Sequence, residues 1–264
     1  MEITEATWER LLALRKGTAD LASTDAAYDL YSPIAGARGQ FVLAQVGQSL
    51  DGRIATPSGD ARNVSGPDGL AHLHRCRALV DAVIVGVGTV RADDPRLSVR
   101  MVRGPAPVRV VVDCHAVLDG SESLFHDGGA PVVVFRSASA RGRPLPTAEV
   151  IDLQAKACGL DPRDILDALA RRNLHRILVE GGARTIARFI DANLVDRLHV
   201  AISPIIIGSG PSGIMLPPID RLTCAHRPAT EVYNLGSDIL FDCRLERQRA
   251  SDRQGQEVRM ANHA

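Results

Sequence analysis

The residues best suited to chemistry fall in two glycine-bearing segments and a scatter of arginines. The first segment, Val85-Gly86-Val87-Gly88-Thr89-Val90-Arg91, invites a dinucleotide fingerprint with Asp113 as the ribose-binding acid. A Rossmann unit is rejected. Arg91 stands where a third glycine is required, and Ala92-Asp93-Asp94-Pro95 leaves no room for three helical turns. What survives is a strand, a glycine pair that admits a ligand to the backbone, and polar Thr89, Asp93 and Asp94 beyond the strand's carboxyl end, where open α/β sheets bind ligands. The plainer reading is a turn with Asp favoured before Pro. The second segment is Leu178-Val179-Glu180-Gly181-Gly182-Ala183-Arg184-Thr185, a strand that ends in a carboxylate and passes through two glycines into a helix. Free N–H groups and the dipole at such a helix start suit a phosphate, with charge from Arg184 and a hydroxyl from Thr185. Its plainer reading is a tight joint with Glu180 as a solvated cap.

Arg75, Arg77, Arg91, Arg96 and Arg100 form the arginine set. Arg77, near the end of a predicted helix, either complements the helix dipole or grips a phosphate. His72 and His74 stand at i, i+2, a spacing that does not face two side chains on a helix, so they predict no shared metal. Five scattered cysteines without a CxxC argue against a disulfide framework and against a zinc site built on cysteine pairs, and they fit a reducing cytosol. No zinc-deaminase pattern, nucleophile elbow or Walker A loop is present. No metal site is expected.

These residues need elements to hold them. Residues 4–16 read as an amphipathic helix with Trp8, Leu11 and Leu12 on one face, followed by a polar connector over 18–39. Strands are predicted from Phe41 to Val46 and over 82–87, 108–113, 131–135, 176–180, 196–203 and 238–243. Asp51-Gly52 signals a hairpin-type turn. Helices are expected over 67–79, with Leu70, Leu73, Cys76 and Leu79 at a spacing of three, from Asp161 to Arg172, and from Gly181-Gly182 to Leu194. Short Val/Ile-rich strands interleaved with helices indicate an α/β domain whose central strands are buried on both faces. The division is 1–39 as helix and connector, 40–245 as the main domain, and 246–264 as a polar, frayed tail.

Composition narrows the class. The 264 residues are 45% hydrophobic and 23% charged, which excludes whole-chain disorder. Lys plus Arg and Asp plus Glu balance at 31 each, without the basic surplus usual for nucleic-acid or anionic-lipid binding. No apolar run approaches the roughly 18 residues a membrane helix needs, and the start lacks an apolar signal region. A soluble, cytoplasmic protein is expected.

Taken together, the segments resemble the RibD C-terminal-domain family, the reductase of riboflavin biosynthesis. The resemblance is carried by Ser49-Leu-Asp-Gly-Arg53, Ser58-Gly-Asp60, Cys76-Arg77-Ala78, the string from Val85 through Thr89-Val-Arg-Ala-Asp-Asp-Pro-Arg-Leu97 with Arg100, Val108 to Asp113, Ile177-Leu-Val-Glu-Gly-Gly182, Leu194-Val-Asp196 and Ser203-Pro-Ile-Ile-Ile-Gly208. It implies a dihydrofolate-reductase-like fold, three-layer α/β/α with a mainly parallel sheet, in a homodimer. It also implies NADPH as hydride donor to the C1′ of a phosphorylated ribosylaminopyrimidine, 5-amino-6-(5-phosphoribosylamino)uracil. By matched position, Gly47, Asn63, Thr89, Asp93, Gly181, Gly182, Ala183, Arg184 and Thr185 would line the cofactor. Ala61, Arg77, Leu97, Arg100 and Glu180 would meet the substrate, the arginines at its phosphate, with Glu180 or Asp93 assisting ring opening or proton transfer. Three positions depart from the pattern: Asn63 where Trp is common, Ala61 where a small hydroxyl residue is frequent, and Cys114 for a Ser. The first two motivate an alternative, a same-fold reductase of a pterin or other heterocycle; a further alternative is a non-catalytic nucleotide-binding protein whose helix over 4–16 and polar tail would serve partner contacts. The family's deaminase half has no counterpart here, which implies a separate deaminase.

Overall fold

Every Val/Ile-rich run expected to be a strand is one, and all of them join a single sheet. The computed structural model describes residues 1–19 and 25–245, so the expected tail over 246–264 lies outside the described residues. In chain order the strands are β1 (Phe41–Ser49), β2 (Ala82–Gly86), β3 (Val108–Val112), β4 (Val132–Ser137), β5 (Ala148–Leu153), the short pair β6 (Ala155–Lys156) and β7 (Gly159–Leu160), β8 (Arg176–Glu180), β9 (Arg197–Ser203), β10 (Ala229–Asn234) and β11 (Ile239–Arg244). The main sheet has nine strands in the order β10-β11-β9-β1-β8-β2-β3-β4-β5, and β6 pairs only with β7. From β9 to β5 all neighbours are parallel, while β11 is antiparallel to both β9 and β10 and so alone runs against the rest.

Helices cover both faces, because alternate residues of each buried strand point opposite ways and both sets are apolar. Leu43, Val83, Val111 and Leu178 pack with residues of α1 (Glu5–Arg15), α2 (Ala26–Ala35), α3 (Pro67–Leu79) and α4 (Val87–Asp93). Val42, Ile84, Val110, Ile177 and Val179 pack with α5 (Pro162–Ala170) and α6 (Ala183–Asp191). This is the three-layer α/β/α arrangement.

Several local expectations are corrected. The supposed connector over 18–39 contains α2, whose Ala27, Leu30, Tyr31 and Ile34 are fully buried at i, i+3, i+4, i+7. Pro33 and the flanking glycines obscured that stripe; Pro33 lies in the last turn of α2, three residues before Gly36 caps it, so little helix remains beyond the break. In α1 the buried face is Trp8, Leu11 and Leu14, and Leu12 is only half-buried. Leu70 is exposed, and α3 buries His72, His74, Cys76 and Arg77 beside Leu79. The glycine pair at 86–88 does open a helix, the seven-residue α4, which ends where Asp94 turns left-handed at φ 40°. The strands β5 and β10 were not anticipated, being mostly exposed edge strands with little apolar alternation.

Candidate active site

The carboxyl ends of the parallel strands gather most of the expected residues. Glu180 is the last residue of β8, in register with Gln45 on β1. Its carboxylate is buried and held by a fork: Arg77 Nε donates to Oε1 at 2.8 Å and Nη2 to Oε2 at 2.8 Å. The remaining guanidinium nitrogen, Nη1, donates to the carbonyl of Ser98 at 3.1 Å. The two side chains are 8% and 6% exposed, so neither the helix-dipole role for Arg77 nor the solvated-cap role for Glu180 describes them. The two residues, both expected at the substrate, form one ion pair, which the sequence did not foresee. Removing one member of a buried pair strands the other, at about 3–5 kcal/mol.

Beside this pair lies a cradle built from backbone. Gly181 and Gly182 take φ of 67° and 70°, which side-chain-bearing residues rarely adopt. They form the joint from β8 into α6, which no side chain caps at its N-terminus. A Cβ on Gly182 would lie 3.0 Å from Thr89 Oγ1, and one on Gly86 2.5 Å from Thr185 Oγ1. Gly86 and Thr89 from the β2–α4 joint and Gly181, Gly182 and Thr185 from the β8–α6 joint therefore meet. Two N-termini and two hydroxyls face one place, with no room for extra side chains. Ala183 and Arg184 form the first turn of α6, and Arg184 is exposed. One side of β1 adds Gly47, where a Cβ would lie 2.2 Å from Ser65 Oγ. The loop bearing Ala61 and Asn63 thus passes over the end of β1, with Asn63 exposed at φ 61°.

The segment after α4 is shaped by tertiary contacts. Asp93 closes α4 as an exposed residue whose carboxyl pKa is raised by desolvation. Leu97 is buried in the core at φ 54°, a conformation strained for a leucine. Arg100 has an exposed side chain, and its backbone N–H donates to His74 Nδ1 at 3.2 Å. Burial, then the charges of Arg77 and Arg100, lower His74 to a pKa of about 4. It is therefore neutral at physiological pH and free to accept that bond. Sequence reasoning missed His74, although its i, i+3 spacing to Arg77 puts both on one side of α3.

A cavity of about 660 Å³ opens farther along the same edge, past β3 and β4. It is lined by Cys114, His115, Ser137, Ser139, Lys156 and Arg188 among others. None was named as a site residue, since each stands alone in the sequence and only the strand order brings them together.

A three-layer α/β fold with a glycine cradle at its strand ends is the architecture of an enzyme class that binds nucleotide-like ligands there. The chain belongs to the RibD C-terminal domain family, whose sequence model matches residues 40–241. It is 33% identical over 215 residues to the 2,5-diamino-6-ribosylamino-4(3H)-pyrimidinone 5′-phosphate reductase of Methanothermobacter thermautotrophicus, covering 76% of this chain and 96% of that one. It is 28% identical to the riboflavin biosynthesis protein RibD of Bacillus amyloliquefaciens, over 75% of this chain and 56% of that one. The chain therefore spans nearly all of the first relative and about half of the second. The crystal structure of a Thermotoga maritima diaminohydroxyphosphoribosylaminopyrimidine deaminase/5-amino-6-(5-phosphoribosylamino)uracil reductase superposes with a TM-score of 0.68 at 28% identity, covering 83% of this chain and 60% of that one. Both α1 and α2 precede the matched segment, and among the described residues no helix is long and apolar enough to cross a membrane.

Proposed function

We propose that residues 40–245 form a cytoplasmic, NADPH-dependent reductase that converts the ribosyl group of 5-amino-6-(5-phosphoribosylamino)uracil to ribityl, in riboflavin biosynthesis. The observation that carries the reading is the junction of the glycine cradle with the Arg77–Glu180 pair at the ends of β2 and β8. The lack of a Cβ at Gly86, Gly181 and Gly182 lets the Thr89 and Thr185 side chains lie directly against backbone at the two helix starts, an arrangement of hydroxyls and N–H groups that fits a ligand's phosphates. Gly47, Thr89, Thr185 and the first turn of α6 would hold the cofactor there, and Ser137, Ser139, Lys156 and Arg188 its distal end in the cavity past β4. When bound, NADPH supplies a hydride from its nicotinamide ring.

The chain's own residues supply position and charge. The Arg77 fork fixes the direction of the Glu180 carboxylate at the strand end, where it would stabilise positive charge developing at an imine-like C1′. Arg77 holds the Ser98 carbonyl and His74 the Arg100 N–H, which together set the loop that carries Arg100. The exposed Arg100 guanidinium is then the group for the substrate phosphate, while that of Arg77 is already engaged. Arg100→Ala is expected to raise the KM for the phosphorylated substrate about tenfold, a loss of ~1.4 kcal/mol, with NADPH affinity unchanged. Equal kinetics in mutant and parent would remove this assignment.

A second reading concerns order. The relative covered over 96% of its length carries a diaminopyrimidinone in its name, the form still bearing the 2-amino group. Both substrates should be offered to the purified chain, and consumption of NADPH followed by its nicotinamide absorbance. Preference for the uracil supports the first reading and places deamination before this step; preference for the diamino form places deamination after it. Turnover of a pterin alone, or binding of NADPH without turnover, would displace both.

Pairing into a homodimer is supported by apolar side chains left on the surface. Ile206 is 76% exposed, Leu222 75% and Val232 58%, on the 204–225 loop and the edge strand β10. Sedimentation is expected to give twice the chain mass; a monomer at micromolar concentration would count against it.

A further inference from the structure

The polar row that includes Glu180 continues beyond Gln45 as His199 on β9 and Asp242 on β11, all in register across the sheet. Opposite His199, α3 presents His72 and Cys76, four residues apart and so on one side of the helix. Their donor atoms close a triangle. His72 Nε2 lies 3.2 Å from His199 Nδ1, and Cys76 Sγ lies 3.6 Å from His72 Nε2 and 3.9 Å from His199 Nδ1. A tetrahedral zinc ion takes nitrogen at about 2.0–2.1 Å and thiolate sulfur at about 2.3 Å, which fixes ligand-to-ligand edges of about 3.3 Å and about 3.6 Å. Each edge of the triangle is within about 0.3 Å of those values. All three residues are fully buried.

The ring nitrogens that point away from the triangle each face a polar group. His72 Nδ1 lies 2.7 Å from Tyr31 Oη, and His199 Nε2 lies 3.3 Å from Asp242 Oδ1, within ion-pair distance but outside hydrogen-bond geometry. Arg197 in turn anchors Asp242, with Nε donating at 2.8 Å. Metal-binding histidines characteristically have an outer partner of this kind on the second nitrogen, which fixes tautomer and ring direction. A plain polar chain from Asp242 through both rings to Tyr31 would explain the histidines. Within that chain the Cys76 thiol could add only one weak S–H···N bond, whereas as a thiolate it faces both inner nitrogens at metal-ligand spacing.

We propose that His72 Nε2, Cys76 Sγ and His199 Nδ1 bind one divalent transition ion, zinc, as three corners of a tetrahedral site. Binding releases the Cys76 thiol proton to solvent and forms a zinc–thiolate bond, with both imidazoles neutral. The ion ties α3 to β9, and Tyr31 brings in α2 from outside the family-matched segment. Because Arg77 follows Cys76, the ion steadies the helix that fixes Glu180. It is a positioning metal, and the proposal is independent of which substrate is reduced.

The test reads metal, not turnover. The full chain is loaded with zinc, dialysed against metal-free buffer and analysed for bound metal; about one zinc per chain is expected. Cobalt in its place should give a thiolate-to-cobalt charge-transfer band and the strong visible bands of a tetrahedral ion. Cys76→Ser and His199→Gln are expected to lose at least tenfold in retained metal, while Cys224→Ser, at an exposed cysteine, keeps it. Should the core variants fail to fold, the cobalt spectrum of the unaltered chain decides. Substoichiometric zinc after dialysis, or a cobalt spectrum without the thiolate band, overturns the proposal.

Discussion

Where β1, β8 and β9 face α5 and α6 they present Val42, Ala44, Ile177, Val179 and Leu198. On the α3 side the same strands present Gln45, Glu180, Arg197 and His199, all buried, and β11 adds Asp242. The apolar face needs only shape and volume, and it stabilises the fold by removing hydrocarbon from water. The other face buries charge, which costs free energy unless every group is paired, and a buried pair is seldom a net gain over packed hydrocarbon. The α3 face is therefore an apolar layer, with Leu43, Val83, Val111 and Leu178, crossed by a buried polar row, and the other face carries no such row. The row is kept for its geometry.

The sharpest way to break that comparison is at Glu180. Glu180→Ala is expected to cost about 3–5 kcal/mol in urea unfolding, because it leaves Arg77 charged and buried alone, and to abolish turnover. The double variant Glu180→Leu with Arg77→Met should recover most of the stability and none of the activity. Recovery of both would mean that the polar row is structural after all.

On the apolar face, Leu169→Ala in α5 removes a fully buried side chain and should cost about 2–5 kcal/mol. The kinetic constants of the folded fraction should not change. A shift in KM would show that the two faces are coupled through the sheet.

A smaller effect is expected at the cradle between them. Gly182→Ala forces a side chain into left-handed backbone at φ 70° with Thr89 Oγ1 3.0 Å from the new Cβ. The strain is about 1–2 kcal/mol, and the affinity for NADPH in a fluorescence titration should fall at least about tenfold. Unchanged affinity would remove the cradle from the cofactor site.

Much of this was legible in the residues. Seven strands followed from Val/Ile runs because a strand buried on both faces needs apolar residues throughout, and α5 and α6 from Asp161-Pro162 and Gly181-Gly182. The cradle was legible because glycine is needed where backbone is crowded or left-handed. The stripe in α2 was written at i, i+3, i+4, i+7 but interrupted by Pro33. The role of Arg77 was not legible. Its partner is 103 positions away, and periodicity carries no information about which of many arginines meets which carboxylate. The same holds for the cavity past β4, whose lining comes from separate loops.

By itself the sequence determined the alternation of strands and helices, the family motifs and the glycine joints, since each depends on neighbours within a few residues. Only the tertiary structure decided which face of the sheet would carry the buried polar row. Strand order and register align Glu180, Gln45, His199 and Asp242 in one row, and α3 lays His72, Cys76 and Arg77 over it. Pairing of charges and convergence of ligand atoms depend on distances through space, which local spacing does not encode.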